Sequence, residues 1–252
     1  METDMLPTIR HSLTDNVKDE LMRYIRRMDL SESTKLPSEL TIAQNLGVSR
    51  ITVCRVLGDL EQENVIFRIH GKGTFVNPEA LQIKISLNPA QEFHQLIERS
   101  GHRPQVKMVR MERDLICPGI AKKLALAPDA PLLRTEKVYY ADEEPAILCF
   151  NYFSGAVFAE IPSWEEFENT SAFFLLRERA GRVMMRDRIE MEAKEISELL
   201  PLTDQVKHFN CKALLQFDTI NYDQNNQPAM YGLCYYNTNF IRFNLLRNQN
   251  IY

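Results

Sequence analysis

Within the stretch Ser49-Arg50-Ile51-Thr52, two short hydroxyl side chains and one guanidinium gather at the start of a segment whose spacing predicts a helix. Ser49 and Thr52 suit phosphate oxygens, contacts that fix register on a duplex without reading its sequence. Arg50, in the first turn, can make a bidentate contact to guanine, worth ~1–3 kcal/mol of discrimination. Further along, His70-Gly71-Lys72-Gly73 joins a positive charge to a backbone lean enough to enter a groove. A plain hairpin turn would use the same glycines, so their meaning depends on what precedes them.

Other chemistries find little support. Cys54, Cys117, Cys149, Cys211 and Cys234 are odd in number and scattered, with no C-x-x-C pair, so neither a disulfide framework nor a zinc site is indicated. The histidines show no metal-ligand spacing, and no metal or cofactor is expected. There is no nucleophile elbow and no phosphate loop. Glu190, Glu192 and Glu195 are most simply a solvated face.

The elements around these residues give them their place. Leu13, Val17, Leu21, Tyr24, Ile25 and Met28 recur at spacings of three and four, an amphipathic helix that Ser12 or Thr14 could cap. Ser38 suits an N-cap, and Glu39 the positive end of a second helix running through Ile42, Ala43 and Leu46 to Gly47. Ser49 then caps a third helix, with Val53, Val56, Leu57 and Leu60 as its apolar stripe. Two short helices joined by a glycine turn form a helix-turn-helix. Residues 65–70 and 74–76 read as strands around a tight turn. A hairpin directly after a helix-turn-helix is a wing, which favours the groove-entering reading of Gly71 and Lys72.

Beyond Asn77-Pro78 a linker or first strand leads to Asn88-Pro89. Helices are predicted at 90–100, 120–126, 165–168, 172–180 and 193–199, and strands at 106–112, 132–140, 146–153, 213–222 and 229–236. Strands joined largely by turns argue for an α+β domain with an antiparallel sheet. The resulting division is 1–77, a winged helix-turn-helix; 78–90, a linker; and 91–252, a second domain.

Bulk properties leave this reading open. The net charge is −4, and the stretch to Val76 holds 10 Lys and Arg against 11 Asp and Glu. Whole-domain charge, however, is a poor proxy for a local footprint. No apolar run approaches the ~20 residues of a membrane span. The acidic N-terminus lacks the apolar core of a secretory signal. A cytoplasmic protein without membrane partners is expected.

The segment from Leu36 to Val76 resembles the winged helix-turn-helix of the GntR family of bacterial regulators, through LPSE, the LGVSR turn, the Thr-Val pair and the closing GKGTFV. The resemblance implies a double-stranded DNA operator as partner. The candidate contacts are Ser38, Glu39, Ser49, Arg50, Thr52, Arg55, His70, Gly71 and Lys72. Two positions depart from the family pattern, Leu40 and Cys54, where relatives usually carry arginines that touch DNA. Arg55 lies about 100° around the helix from position 54, so it serves a phosphate rather than replacing that arginine. The departures imply either an unusual operator or weak binding.

Residues from about 82 onward resemble the effector-binding (UTRA) domain of the HutC branch of that family, a fold shared with chorismate lyase. ADEEP at 141–145, Tyr152, NYDQNNQP, Tyr231 and Tyr236 carry the likeness. It implies a homodimer and a small-molecule effector. By the motifs of sugar-phosphate sensors, Phe93-His94 falls on a Phe-Ser/Thr pair, Lys137 and Tyr139 on two arginines, and Cys149 and Met230 on two glutamates. Tyr152, Ser171 and Tyr236 keep the family's type. With one basic group kept and neither acid, the resemblance implies a ligand less polar than a sugar phosphate, with one anionic group held by Lys137, His94 and Ser171. Lys137 could equally be an exposed strand residue, His94 a helix-surface residue, and the tyrosines sheet packing. The reading is a transcription regulator, a repressor released by its effector rather than an enzyme. A DNA-binding dimer with a silent pocket and a lyase-like enzyme are its alternatives.

Overall fold

The computed structural model describes residues 13–83, 85–87 and 90–246, which form two compact units, Met1–Ala90 with Phe243–Tyr252, and Gln91–Arg242. Ser12 and Asn88-Pro89, singled out above, lie outside the described residues.

The first unit opens with α1 (Leu13–Arg27), which buries Val17, Leu21 and Ile25. Thr14 falls inside it rather than capping it. Next come α2 (Glu39–Leu46) and α3 (Arg50–Gln62). The Ser38 hydroxyl accepts from the Thr41 amide, and Gly47 takes a left-handed φ of 65° that closes α2. This conformation favours glycine, since a Cβ would crowd the backbone. Two residues later Ser49 caps α3 by accepting from the Thr52 amide. These local signals fix the turn, while packing holds it: Val53, Val56, Leu57 and Leu60 join Ile42, Ala43 and the α1 stripe in one core.

The wing is β1 (Ile66–Ile69) paired antiparallel with β2 (Gly73–Val76). The Leu36 amide donates to the Thr74 carbonyl and the Val76 amide to the Thr34 carbonyl, so the segment before α2 lies along β2 as a third strand-like edge. Residues read as linker begin with a short helix, α4 (Pro78–Gln82). Asn244 returns here and bridges Ser86 in parallel.

The second unit contains α5 (Phe93–Arg99), β3 (Pro104–Leu115), α6 (Pro118–Lys123), β4 (Leu132–Ala141), β5 (Glu144–Ser154), α7 (Trp164–Asn169), α8 (Ala172–Ala180), β6 (Met184–Glu195), α9 (Ile196–Leu199), a 3-10 turn at Asp204–His208, β7 (Ala213–Asp223) and β8 (Pro228–Tyr236). One antiparallel sheet runs in the order β3-β4-β5-β8-β7-β6. The α+β class and antiparallel sheet agree with the expectation. The helix predicted at 193–199 is corrected: residues 193–195 finish strand β6, and the helix begins only at Ile196. Strand β6 is rich in Met, Glu and Arg, and its pairing with β7 overrides those helix propensities.

Side chains alternate between the two sheet faces, and each face carries its own core. Leu148, Phe150 and Tyr152 of β5 pack with Val138, Tyr231 and Tyr235 beneath α9 and the 3-10 turn. On the other face Met108, Leu133, Phe153 and Met230 pack with Phe167 of α7 and Leu175 and Leu176 of α8.

Candidate nucleic-acid interface and effector cleft

The reader face begins at the α3 cap. Ser49 and Thr52 hydroxyls lie 2.8 Å apart, as do those of Ser38 and Thr41, so each cap presents a paired hydroxyl at a helix start. The Arg50 side chain is 68% exposed, and its Nε and Nη2 donate to Glu39 Oε2 at 3.1 and 3.0 Å. The same oxygen accepts from the Cys54 thiol at 3.1 Å, and Arg68 lies 3.8 Å from the other carboxylate oxygen. The Cys54 thiol and then Arg50 hold the Glu39 carboxyl below its usual range, and Glu39 in turn raises the Cys54 thiol. Glu39 thus positions Arg50, a role that its place at a helix N-terminus did not reveal.

Arg55 is exposed on α3, and His70, Gly71 and Lys72 are exposed at the wing tip. Gly71 has φ 73° and Gly73 φ 119°. At Gly73 an added Cβ would meet Lys35 Cε at 3.1 Å, the movable end of a flexible side chain, so it is the backbone conformation that favours glycine there. Two apolar side chains share this region of the first unit: Leu40 is 58% exposed and Ile51 is 82% exposed. Ile51 was not among the candidate contacts that the sequence offered. Its signal was its position off the stripe of Val53, Val56, Leu57 and Leu60.

In the second unit an open cleft is lined by Phe93 and His94 of α5, Tyr139 of β4, and Glu168, Thr170 and Ser171 around the α7–α8 junction, together with Glu92 and residues 104–106. Phe93 meets Tyr139 edge-on, with ring centroids 4.8 Å apart, and Tyr236 at 6.1 Å. Ser171 also caps α8, its hydroxyl accepting from the Phe174 amide. Of the expected effector residues, Phe93, His94, Tyr139 and Ser171 therefore come together at the cleft.

The others do not line it. Lys137 is 2% exposed, neither on the surface nor at the cleft wall, and its Nζ donates to the Thr170 carbonyl at 3.1 Å. Burial pushes its pKa down to about 8. Cys149 faces Cys234 across the β5–β8 pair, with sulfurs 2.7 Å apart, and both are buried. Tyr236 is buried beneath Phe93 and against Phe217. Met230 belongs to the core under α7 and α8. Tyr152 points to the opposite face, its ring 5.7 Å from Tyr231. Cys149 and Tyr152 are three residues apart on one strand, so they cannot share a face.

Acids reach the cleft at positions other than those of Cys149 and Met230. Glu92 and Glu168 both line the cleft, and the Glu168 carboxylate accepts from the Met108 amide at 2.9 Å. Glu92 directly precedes Phe93 and could have been found there. Glu168 reaches the cleft only through the packing of α7 on β3, which no local pattern announces.

Among the described residues there is no group of His, Cys, Asp and Glu able to hold a metal ion, and no helix long and apolar enough to cross a membrane. The family profile described as UTRA domain matches residues 99–242, and that of bacterial regulatory proteins, gntR family, matches residues 13–76. The chain is 24% identical over 247 residues to YurK of Bacillus subtilis, an uncharacterized HTH-type transcriptional regulator, covering 96% of this chain and 95% of YurK. It is 22% identical over 233 residues to MngR of Escherichia coli, a mannosyl-D-glycerate transport/metabolism system repressor, covering 91% and 93%. The crystal structure of YydK from Bacillus subtilis shares the fold, with a TM-score of 0.75 at 20% identity over 94% of this chain and all of YydK, 100%.

Proposed function

The chain belongs to the GntR family of DNA-binding transcriptional regulators and carries a UTRA domain, and from that premise we propose that it is a homodimeric repressor released from its operator by a small polar effector. The observation that carries the DNA-reading half is the start of α3, where a serine cap presents Arg50 and Ile51 to solvent beside an antiparallel wing. The N-terminal residues of such a helix face base edges in the major groove. Arg50 leaves Glu39 for a guanine, and Ile51 meets a thymine methyl. Ser38, Ser49, Thr52, Arg55 and Lys72 take phosphates, while His70 and Gly71 bring the wing to the groove. In this reading, residues 1–77 read DNA, 78–90 link, and 91–252 sense and dimerise on a chorismate lyase-like sheet.

The cleft supports a ligand with hydrogen-bond donors. Glu92 and Glu168 would receive hydroxyl or ammonium groups, Phe93 and Tyr139 an apolar face, and His94 with Ser171 an acidic substituent. Binding there would shift the dimer away from its DNA-competent spacing. The direction of control is taken from MngR, which is named as a repressor.

Selection of bound sequences from a random DNA pool at near-physiological salt tests the reading. Enrichment of a palindrome with half-sites about one helical turn apart supports a dimeric reader, and failure to enrich any sequence overturns it. The burial of Cys149, Met230 and Tyr236 favours a second reading, a dimer whose cleft senses nothing. Thermal melting against a panel of polyols and amino sugars separates the two, since a ligand at 100 times its Kd adds about 2.7 kcal/mol.

A further inference from the structure

Two of the five cysteines are brought together by the sheet. Cys149 and Cys234, 85 residues apart in the chain, are directly paired across the antiparallel strands β5 and β8, with their sulfurs 2.7 Å apart. Directly opposed residues of antiparallel strands have Cα atoms ~4.5–5.5 Å apart, inside the ~4.4–6.8 Å that a disulfide spans. The sulfurs are closer than the ~3.5–4.0 Å at which even carbon atoms pack, and stand a little beyond the ~2.05 Å of a sulfur–sulfur bond. Both are free thiols. A bond can therefore form with only the sulfurs shifting.

The pair lies in a row that crosses the sheet. Lys137 of β4 is opposite Cys149, and Phe217 of β7 is opposite Cys234. Two residues along, on the same face, stand Tyr139 and Tyr236, and Tyr139 is a wall of the cleft. Lys137 joins row and cleft, because its Nζ donates to the carbonyl of Thr170, another cleft residue. An ammonium beside Cys149 stabilises the negative charge that develops on its sulfur during attack. Burial pushes the Cys234 thiol well up, which casts Cys149, the sulfur beside the ammonium, as the attacking one. Cys149 is 1% exposed and Cys234 6%, a depth that excludes bulky oxidants and favours one little larger than water.

We propose that Cys149 and Cys234 form a modification site, a dithiol that small hydroperoxides convert reversibly into a cross-strand disulfide beside the cleft. With hydrogen peroxide, the Cys149 sulfur attacks one oxygen and the O–O bond breaks. The Cys149 proton leaves with the other oxygen as water. The Cys234 sulfur then displaces the hydroxyl from the Cys149 sulfenic acid, and the Cys234 proton leaves with it as a second water. Together the sulfurs lose two electrons, which the peroxide gains. The bond consumes the Cys149 thiol that donates to Asn151 and faces Lys137, so oxidation alters the polar groups beside the cleft. The reaction requires neither operator nor effector and stands apart from the regulator reading.

Treatment of the native chain with hydrogen peroxide, then alkylation in denaturant, proteolysis and mass spectrometry, tests the site. The expected product is a peptide pair linked through Cys149 and Cys234, lighter by two hydrogens and split by dithiothreitol. Cys54, Cys117 and Cys211 should not enter that link. Because the bond closes a long loop in the unfolded chain, the linked protein should melt roughly 10 °C higher until it is reduced. Oxidised glutathione at the same concentration should leave both sulfurs as thiols. Recovery of Cys149 and Cys234 as alkylated thiols after prolonged exposure to peroxide, or as sulfinic acids without a link, would overturn the site. A link accompanied by a lower melting temperature would overturn it too, since it would have formed in molecules already unfolded. Linking by glutathione as fast as by peroxide would overturn the selectivity for small hydroperoxides.

Discussion

Two cations of this molecule stand at opposite extremes, Arg50 at the start of α3 and Lys137 in the six-stranded sheet. Arg50 is mostly exposed and pairs with the half-buried Glu39, an ion pair that solvent screens and that contributes little. DNA can therefore displace Glu39 at little cost. Lys137 is enclosed, and its ammonium donates to the Thr170 carbonyl. Moving it means disturbing the sheet. The reader keeps its chemistry on the outside of a small core and sets it by caps and turns. The UTRA domain builds its cleft beside buried polar groups set by strand register. Substitutions in the first region should change selectivity with stability intact, and those in the second should change stability first.

The largest effect expected from this contrast is at Tyr152. It packs on the sheet face away from the cleft, between Leu148, Phe150 and Tyr231. Tyr152→Ala should lower unfolding free energy by roughly 3–5 kcal/mol, measured by urea denaturation. Tyr139→Ala at the cleft should cost less stability and more ligand response. A Tyr152→Ala chain as stable as the native one would return this residue to the list of cleft candidates.

Lys137 gives a pH-dependent test. Its pKa is about 8 in the folded protein against an ordinary 10.5, so the unfolded chain binds more protons between those values. Stability attributable to Lys137 therefore rises with pH across that window, and the cost of burying the charge is fully present below pH 8. At neutral pH that cost is on the order of 3 kcal/mol. Lys137→Met should gain stability over the native chain at pH 7, and the gap should shrink by about 2–3 kcal/mol by pH 10. A gap that does not vary with pH would mean that the ammonium is solvated.

At the reader, Arg50→Ala should lose ~1–3 kcal/mol of discrimination between the selected operator and a scrambled duplex. The dimer and the melting temperature should be unaffected, because the side chain packs on nothing in the core. Unchanged selectivity in competition binding would remove Arg50 from the reader role.

The two regions also differ in how much of them could be read in advance. Ser38, Gly47 and Ser49 announce their helix ends within three or four residues, so the helix-turn-helix is legible locally. Strands β4, β5, β7 and β8 are legible because their apolar runs are bounded by turns. Strand β6 is not, because Met, Glu, Ala and Lys favour helix and only the β7 partner decides otherwise. In the site, Phe93, His94, Tyr139 and Ser171 were found by motif. Lys137, Cys149 and Met230 were expected there by the same motifs but lie buried away from the cleft wall, and that burial depends on packing that no local pattern announces. Tyr152 could have been set apart by its odd spacing from Cys149. Glu168 could not have been found, because its place depends on a hydrogen bond 60 residues away.

The smallest expected effect is at Ile51, and it probes the reader most finely. An apolar side chain that is 82% exposed contributes little to folding, so Ile51→Ala should change stability by less than ~0.5 kcal/mol. Against DNA the same methyl-rich surface has a natural counterpart in the 5-methyl group of thymine, the one apolar feature on a major-groove base edge. Loss of that contact should weaken operator binding by about 1 kcal/mol, confined to duplexes with thymine at a single position in each half-site. Replacing that thymine by uracil removes the methyl from the other side. It should weaken the native chain by a similar amount and leave Ile51→Ala unaffected. If uracil weakens both proteins equally, the methyl is read by another side chain, and the exposure of Ile51 serves no base contact.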